Sequence, residues 1–410
     1  MSNHLIPEVL APAGDMERLD AALNFGADAV YLSGSKFGMR AASANFDRTA
    51  LAVAVTKAHA LGKKIYVTCN ILPRNRDLDE LPDYFSYLDS IRVDALIVSD
   101  FGVMDIAKKY APHVALHIST QFGVVNHATA TFLYNLGAKR VVLARELSMA
   151  EIREIRAKTP NELELEAFVH GAICMSYSGR CVISNYLTGR DANHGECAQP
   201  CRWKYSIVEE TRPDLPMTLE EDTDGSYLFN ANDMNMIEHV ADLAQSGVAS
   251  LKIEGRAKSA YYTAVTANAY RRAVDGYIAS GFSADYKPER WIVEELNKIS
   301  HRPYGTGFYY GSPSQYLLKG GYIRSYEVAA IVEEWANGWL KLSQRNRFFA
   351  GDTLDVLEPG GKPFDFTVEY MENDERLPIS SAPHPMMTVW VPSKRSLKPG
   401  TLLRFNKENI

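Results

Sequence analysis

Over its first 170 residues the chain repeats one beat: a short apolar run rich in β-branched residues, an amphipathic stretch, and a polar or glycine turn. The runs are IPEVLAP, DAVYLSG, KKIYVTCN, DALIVSD, VALHIST, KRVVLARE and LELEAFVHG. Between them, apolar residues recur with helical spacing from Met16 to Phe25, Arg48 to Leu61, Leu78 to Ile91, Val103 to Tyr110, Ala128 to Leu136 and Met149 to Lys158. The phrase LNFGADAVYL returns as LYNLGAKRVVL and LAQSGVASLKI, each a helix end, a glycine stop and a new strand. The third echo supplies an eighth strand, Ala249 to Glu254, followed by a helical stretch from Ala260 to Tyr277. Eight such units predict an α/β chain closed into a (β/α)8 TIM-like barrel, with residues 170–230 inserted after strand seven. A doubly wound open sheet is the alternative. No G-x-G-x-x-G follows an early strand, so dinucleotide binding has no local support. Chemistry in such barrels gathers at the carboxyl ends of the strands, and the insertion leaves from that face.

The pattern then changes. Residues 282–321 are rich in Pro, Gly and aromatics and read as a linker after a barrel spanning 1–281. From 322 to 410 short apolar runs separated by Gly or Pro predict a small all-β domain, a barrel or a sandwich. No apolar stretch approaches the roughly 20 residues that span a bilayer. The amino terminus MSNHLIPEVLAPAGD lacks a basic start followed by an apolar core, so a cytoplasmic, reducing compartment is expected. A net charge of −6 argues against chain-wide attraction to nucleic acid, yet the bases are unevenly placed. Arg180, Arg190, Arg202 and Lys204 lie among the cysteines, and a local basic face suffices to hold a phosphate backbone.

Four of the five cysteines, Cys174, Cys181, Cys197 and Cys201, fall within one stretch of 28 residues. Their neighbours are Gly, Ser, Asn, Arg and Asp rather than a periodic apolar run, which favours ligation over inert packing. Four thiolates so placed can close around a tetrahedral zinc or an iron-sulfur cluster. Cys69, alone on the third strand, reads as a small packed side chain.

Alternation along strand seven puts Glu164, Glu166, Phe168 and His170 on one face, and strand eight offers Lys252, Glu254 and Arg256 in the same rhythm. Facing inward, they would place carboxylates in the barrel and an imidazole at its rim. Glu166, His170 and Glu254 are the candidates for catalysis. Arg145, Lys252 and Arg256, with Asn70 and Gln121 at other strand ends, outline a polar cavity suited to a small anion.

The run Glu166, Phe168, Gly171, Ala172, Cys174, Gly179, Cys181 and Ser184 resembles the signature of the collagenase-like peptidase family U32. The likeness extends from LAPAGDMERLDAALNFGADAVYL through ISNYLTGRDANHGECAQPCRWKY, LFNANDM and KIEGRAKSAYY to HRPYGTGF. Within the family the chain most resembles prephenate-dependent tRNA hydroxylases that make 5-hydroxyuridine at the wobble position. That resemblance implies a [4Fe-4S] cluster on the four clustered cysteines, prephenate as co-substrate and tRNA as partner. It leaves open whether copies of this chain or a second subunit assemble with it. Two other readings stand beside it. One is a peptidase using His170 and Cys174, although no G-x-S-x-G or H-E-x-x-H is present. The other is a metal-stapled RNA-binding or assembly subunit without catalysis. Single-stranded bases stack on aromatics, and Tyr177, Tyr186, Trp203, Tyr261 and Tyr262 lie in the segments assigned to the mouth.

Overall fold

The computed structural model describes residues 4–39, 45–174, 181–203, 207–208, 216–217, 231–313 and 322–407. Seven parallel strands come first: β1 (Glu8–Pro12), β2 (Ala29–Leu32), β3 (Lys64–Cys69), β4 (Ala95–Val98), β5 (Ala115–Ile118), β6 (Ala138–Val142) and β7 (Glu164–Ala172). An eighth, Val248–Ile253, pairs in parallel with both β7 and β1 and closes the (β/α)8 barrel. The helices between the strands start where short polar side chains cap them. Asp15, Asp47, Asp100, Asn126, Ser148 and Ser259 each accept from a backbone N–H in the first turn, a contact worth about 1 kcal/mol per helix. Two of the echoed glycines, Gly26 and Gly137, take φ of +102° and +101°, values that a Cβ would oppose.

The barrel is filled by two kinds of side chain. Leu10, Ala29, Tyr31, Tyr66, Ala95 and Ile97 form an inner apolar cluster. Beside them lies a buried ion set that the sequence reading did not foresee. Arg140 of β6 reaches Glu8 of β1 at 2.7 Å, and Glu164 and Glu166 of β7 at 2.7 and 3.0 Å. Glu166 also meets Lys252 of the closing strand at 2.7 Å, while Ser250 and Tyr66 donate to Glu8. Burial by itself would depress the Arg140 pKa, but Glu166 and Glu8 outweigh it and raise it. Outside the strands a much larger apolar core packs the helices onto the barrel.

Strand β7 runs past the barrel. Its last residues pair antiparallel with Asp233–Asn235, so the chain leaves the barrel after Ala172 and is back beside it by Asp233. The stem is clasped by Arg302, whose guanidinium bonds buried Asp233 at 2.7 Å. The expected linker is therefore not one where it is described. Residues 290–295 form a helix, Tyr304–Gly305 pair with the stem, and Ile292, Leu296, Ile299 and Tyr309 enter the main core. Their Pro and aromatic content reflects packing onto the barrel rather than extension away from it.

The carboxyl-terminal domain is all-β, as expected, and is built on a six-stranded antiparallel sheet running from Tyr326 to Asn406 with its own apolar core. It docks on the barrel through fully buried Arg404, which holds Asp355 of its own domain at 2.7 Å and Glu295 of the barrel unit at 2.8 Å. Lys298 completes this set by pairing with both carboxylates.

Removing Arg140 takes a cationic partner from three carboxylates, of which fully buried Glu166 would be left with Lys252 alone. Arg140→Met should destabilise the protein by about 3–5 kcal/mol, the usual cost of breaking a buried pair on one side. Urea denaturation of the variant beside wild type measures this, and a loss below about 1 kcal/mol would show that the set is not integral to the barrel.

Candidate active site at the barrel mouth

The carboxyl ends of the strands form a polar floor. Arg145, just past β6, lays its guanidinium 3.9 Å over the Phe168 ring, donates to the Ala172 carbonyl at 2.9 Å and stands 3.6 Å from Glu254. That last distance is longer than a direct hydrogen bond, and the buried Arg145 Nε has no hydrogen-bond partner among the described residues. Arg256 is buried and donates to Thr68 Oγ1 at 3.0 Å. Asn70 donates to Ser119 at 3.1 Å, bridging the ends of β3 and β5, and Gln121 sits half-buried in the turn after β5. Tyr31, whose hydroxyl donates to the Ile253 carbonyl, and Phe168 supply the apolar surfaces.

The structure thus gathers Arg145, Arg256, Glu254, Asn70 and Gln121 at strand ends around one mouth, and corrects three other assignments. Glu166 is fully buried within the ion set. Desolvation would raise its pKa, but Lys252 and Arg140 outweigh this and hold it lowered, so it is a fixed counter-ion rather than a group exchanging protons with a substrate. Lys252 is neutralised by Glu166 below the mouth, its ammonium 4.6 Å from the Tyr31 ring centroid, and so braces the floor instead of facing a ligand.

His170 is the third correction. A bulge in β7 pairs Phe168 with Lys252 but His170 with Ile253, so one extra residue reverses the alternation. The imidazole turns into the layer between barrel and helices, with ring centroids 5.4–5.9 Å from Tyr304, Tyr270 and Tyr262. Burial depresses its pKa to about 3 against the opposing pull of Asp233. Such a group is a poor base at neutral pH, so a Cys174–His170 peptidase dyad has no geometric support. Tyr261 and Tyr262 are likewise anchored in the fold, donating to the Lys298 and Glu254 carbonyls.

The insertion lies against the mouth on the β3 side. Leu72 N–H donates to the Asn193 carbonyl at 3.0 Å, Arg74 meets Asp191 at 3.4 Å, and His194 meets Asp77 at 3.1 Å. Cys174 lies two residues past the end of β7, and Cys181 precedes the helix Ile183–Thr188. Cys201 lies in the single turn Pro200–Arg202, and Cys197 Sγ accepts from the Gln199 N–H at 3.4 Å. The Asn193 amide donates to the Cys181 carbonyl at 2.8 Å, and the Ala198 N–H to Ser184 Oγ at 3.0 Å, which folds the two halves of the segment together. None of the four cysteines is buried, whereas Cys69 is buried in the core, where burial pushes its thiol up. Four accessible soft donors on one excursion suit a metal centre in kind. Among the described residues, however, no three Cys, His, Asp or Glu side chains converge as ligands. Of the basic residues expected to hold RNA, Arg190 is exposed and Arg202 lies in the turn beside Cys201, while Arg180 and Lys204 fall outside the described residues, as does Tyr177.

Comparison with known proteins settles the family. The sequence model of peptidase family U32 matches residues 14–319, and that of the peptidase family U32 C-terminal domain matches residues 324–404. The chain belongs to peptidase family U32. Its relatives in that family include tRNA hydroxylation protein P1 of Bacillus subtilis, 35% identical over 98% of this chain and 95% of the other. The tRNA hydroxylation protein P of Escherichia coli is 36% identical over 96% of this chain and 95% of its own length. A 23S rRNA 5-hydroxycytidine synthase of Escherichia coli is 35% identical over 74% of this chain and 45% of that enzyme. Family members thus carry names from RNA modification as well as from proteolysis. The residues sequence reasoning missed, Arg140, Glu8, Tyr66 and Ser250, come from separate strands and share no local motif.

His170 carries a pH signature. The folded imidazole takes its proton only near pH 3, whereas in the unfolded chain it does so near 6.5. Between those values the unfolded chain binds more protons, so stability falls as pH drops through this window. His170→Phe should flatten that fall by about 1.4 kcal/mol per pH unit between pH 5.5 and 4. Denaturation midpoints at several pH values test this, and an unchanged slope would place the imidazole in a solvated site.

Proposed function

We propose that this protein is an RNA-modifying hydroxylase that converts the wobble uridine of tRNA to 5-hydroxyuridine, with prephenate as co-substrate and a [4Fe-4S] cluster on Cys174, Cys181, Cys197 and Cys201. The observation that carries the reading is similarity to two tRNA hydroxylation proteins across nearly the whole of both chains, the insertion and the carboxyl-terminal domain included. A tRNA substrate also fits the cytoplasmic compartment expected of the sequence. The mouth supports the co-substrate. Two guanidiniums, Arg145 and Arg256, sit over an aromatic and polar floor where a dicarboxylate could be held by charge-assisted bonds, and Phe168 and Tyr31 offer apolar walls to its ring. Asn70 and Gln121 would orient it, and Glu254, the carboxylate beside Arg145, is the group best placed to hold or move a proton there. A cluster bound by the insertion would supply one-electron chemistry beside this mouth. The accessible placement of the four thiols, against the buried Cys69, favours them as its ligands.

Three measurements test the reading. Mass-spectrometric nucleoside profiles of tRNA from cells lacking the gene should lose 5-hydroxyuridine and its derivatives; an intact profile removes the assignment. In anaerobically purified protein, alanine at any of the four clustered cysteines should strip the iron, whereas Cys69→Ala should leave iron and colour unchanged. Zinc in stoichiometric amount with no iron would instead favour a structural staple. Arg145→Ala and Arg256→Ala should each raise the prephenate concentration needed for half-maximal activity at least tenfold while retaining iron, as loss of one charge-assisted contact implies. Unchanged dependence in both would move the co-substrate elsewhere.

A further inference from the structure

Docking of the insertion leaves an exposed strip along one side of the mouth. It begins on helix Ile183–Thr188, where Tyr186 is 89% exposed, and passes Arg190. It continues on the segment after β3, where Arg74 and Arg76 stand out into solvent, and ends at the start of the helix Phe101–Tyr110 that follows β4, where Phe101 is 51% exposed. The pieces are joined: Arg74 pairs with Asp191 of the insertion, and Ser99, next to the β4 tip, donates to the Ile71 carbonyl at 2.9 Å. Phe101 stands edge-on to Phe122 at 4.8 Å and to Phe132 at 6.3 Å, so its ring is set by other rings rather than left loose.

Large aromatics held half in water are costly for a free surface, and arginines interleaved with them suit one ligand chemistry well. Guanidiniums take backbone phosphates while ring faces take unstacked bases. A docked protein would favour an apolar centre depleted of charge, which the interleaved arginines spoil. We propose that the single-stranded nucleotides flanking the target base run along this strip, with phosphates on Arg74 and Arg76 and a base on Phe101, so that RNA enters the mouth from the β3–β4 side. This rests on the RNA-modifying reading above and extends it from the cysteine insertion onto the barrel itself.

The test is binding of an unmodified tRNA transcript with uridine at the first anticodon position to the full-length protein purified without oxygen. Fluorescence anisotropy across a salt series compares wild type, Arg76→Glu, Arg76→Ala and Phe101→Ala. Arg76 is 80% exposed and 3.9 Å from Asp77, so its replacement should leave the thermal midpoint in place. Both Arg76 variants should weaken binding and lower the slope of log K against log salt by about 0.7–0.9. Phe101→Ala should weaken binding about tenfold with an unchanged slope, the loss of one stacked base. Wild-type binding with all variants indistinguishable from it overturns this path and leaves the RNA reading intact. A wild-type protein that does not bind the tRNA removes path and reading together.

Discussion

Arg140 sits where four parts of the barrel must agree. Its guanidinium is nearly fully buried and satisfied by Glu8, Glu164 and Glu166, and Glu166 in turn holds Lys252. These groups belong to β1, β6, β7 and the closing strand, so the set is complete only when the sheet is closed. An open sheet would leave charges buried without partners, at a cost of several kcal/mol each. Apolar residues alone could fill such a barrel. Charges that fail in any other register additionally penalise misaligned closure, and the register of β1 against the closing strand, Glu8 opposite Ser250, is the one in which Ser250 donates to Glu8.

Closure also fixes what stands above it. Lys252 is held by Glu166 below and faces the Tyr31 and Phe168 rings, and Phe168 in turn carries Arg145 on its face. The floor of the mouth is therefore braced from within, which lets Arg145 and Arg256 remain polar in a largely buried place. The co-substrate site proposed above would depend on this rigidity, because bidentate recognition of a carboxylate needs the guanidinium fork held in a fixed direction.

The same logic attaches the two additions to the barrel. The stem of the insertion is clasped by Arg302 on Asp233, and the carboxyl-terminal domain by Arg404 between Glu295 and Asp355. Each is a buried arginine shared between segments far apart in sequence. The cysteine segment is in this way tied at its stem to β7 and at Asn193 and Asp191 to the loop after β3, beside the mouth rather than at the far end of the barrel.

The strand-and-helix beat, the glycine stops and the polar caps are local, and each follows from the preferences of a few adjacent residues. They made the eight-unit barrel, the insertion after strand seven and the β domain legible in the sequence, and clustering alone marked the four cysteines. Simple alternation placed Glu164, Glu166 and Phe168 correctly on the inner face, but it failed at His170, because a bulge is set by pairing with a neighbouring strand and leaves no sign in β7 itself. The fate of Glu166 and Lys252 was equally hidden. Whether a buried charge acts on a ligand or serves as a counter-ion depends on what stands opposite it, and Arg140 reaches that place only through the closed barrel. The sequence determined the elements and the donor chemistry, and the tertiary structure decided which charged groups meet each other and which face the mouth, because electrostatic partnership is set by distance in space rather than by separation along the chain.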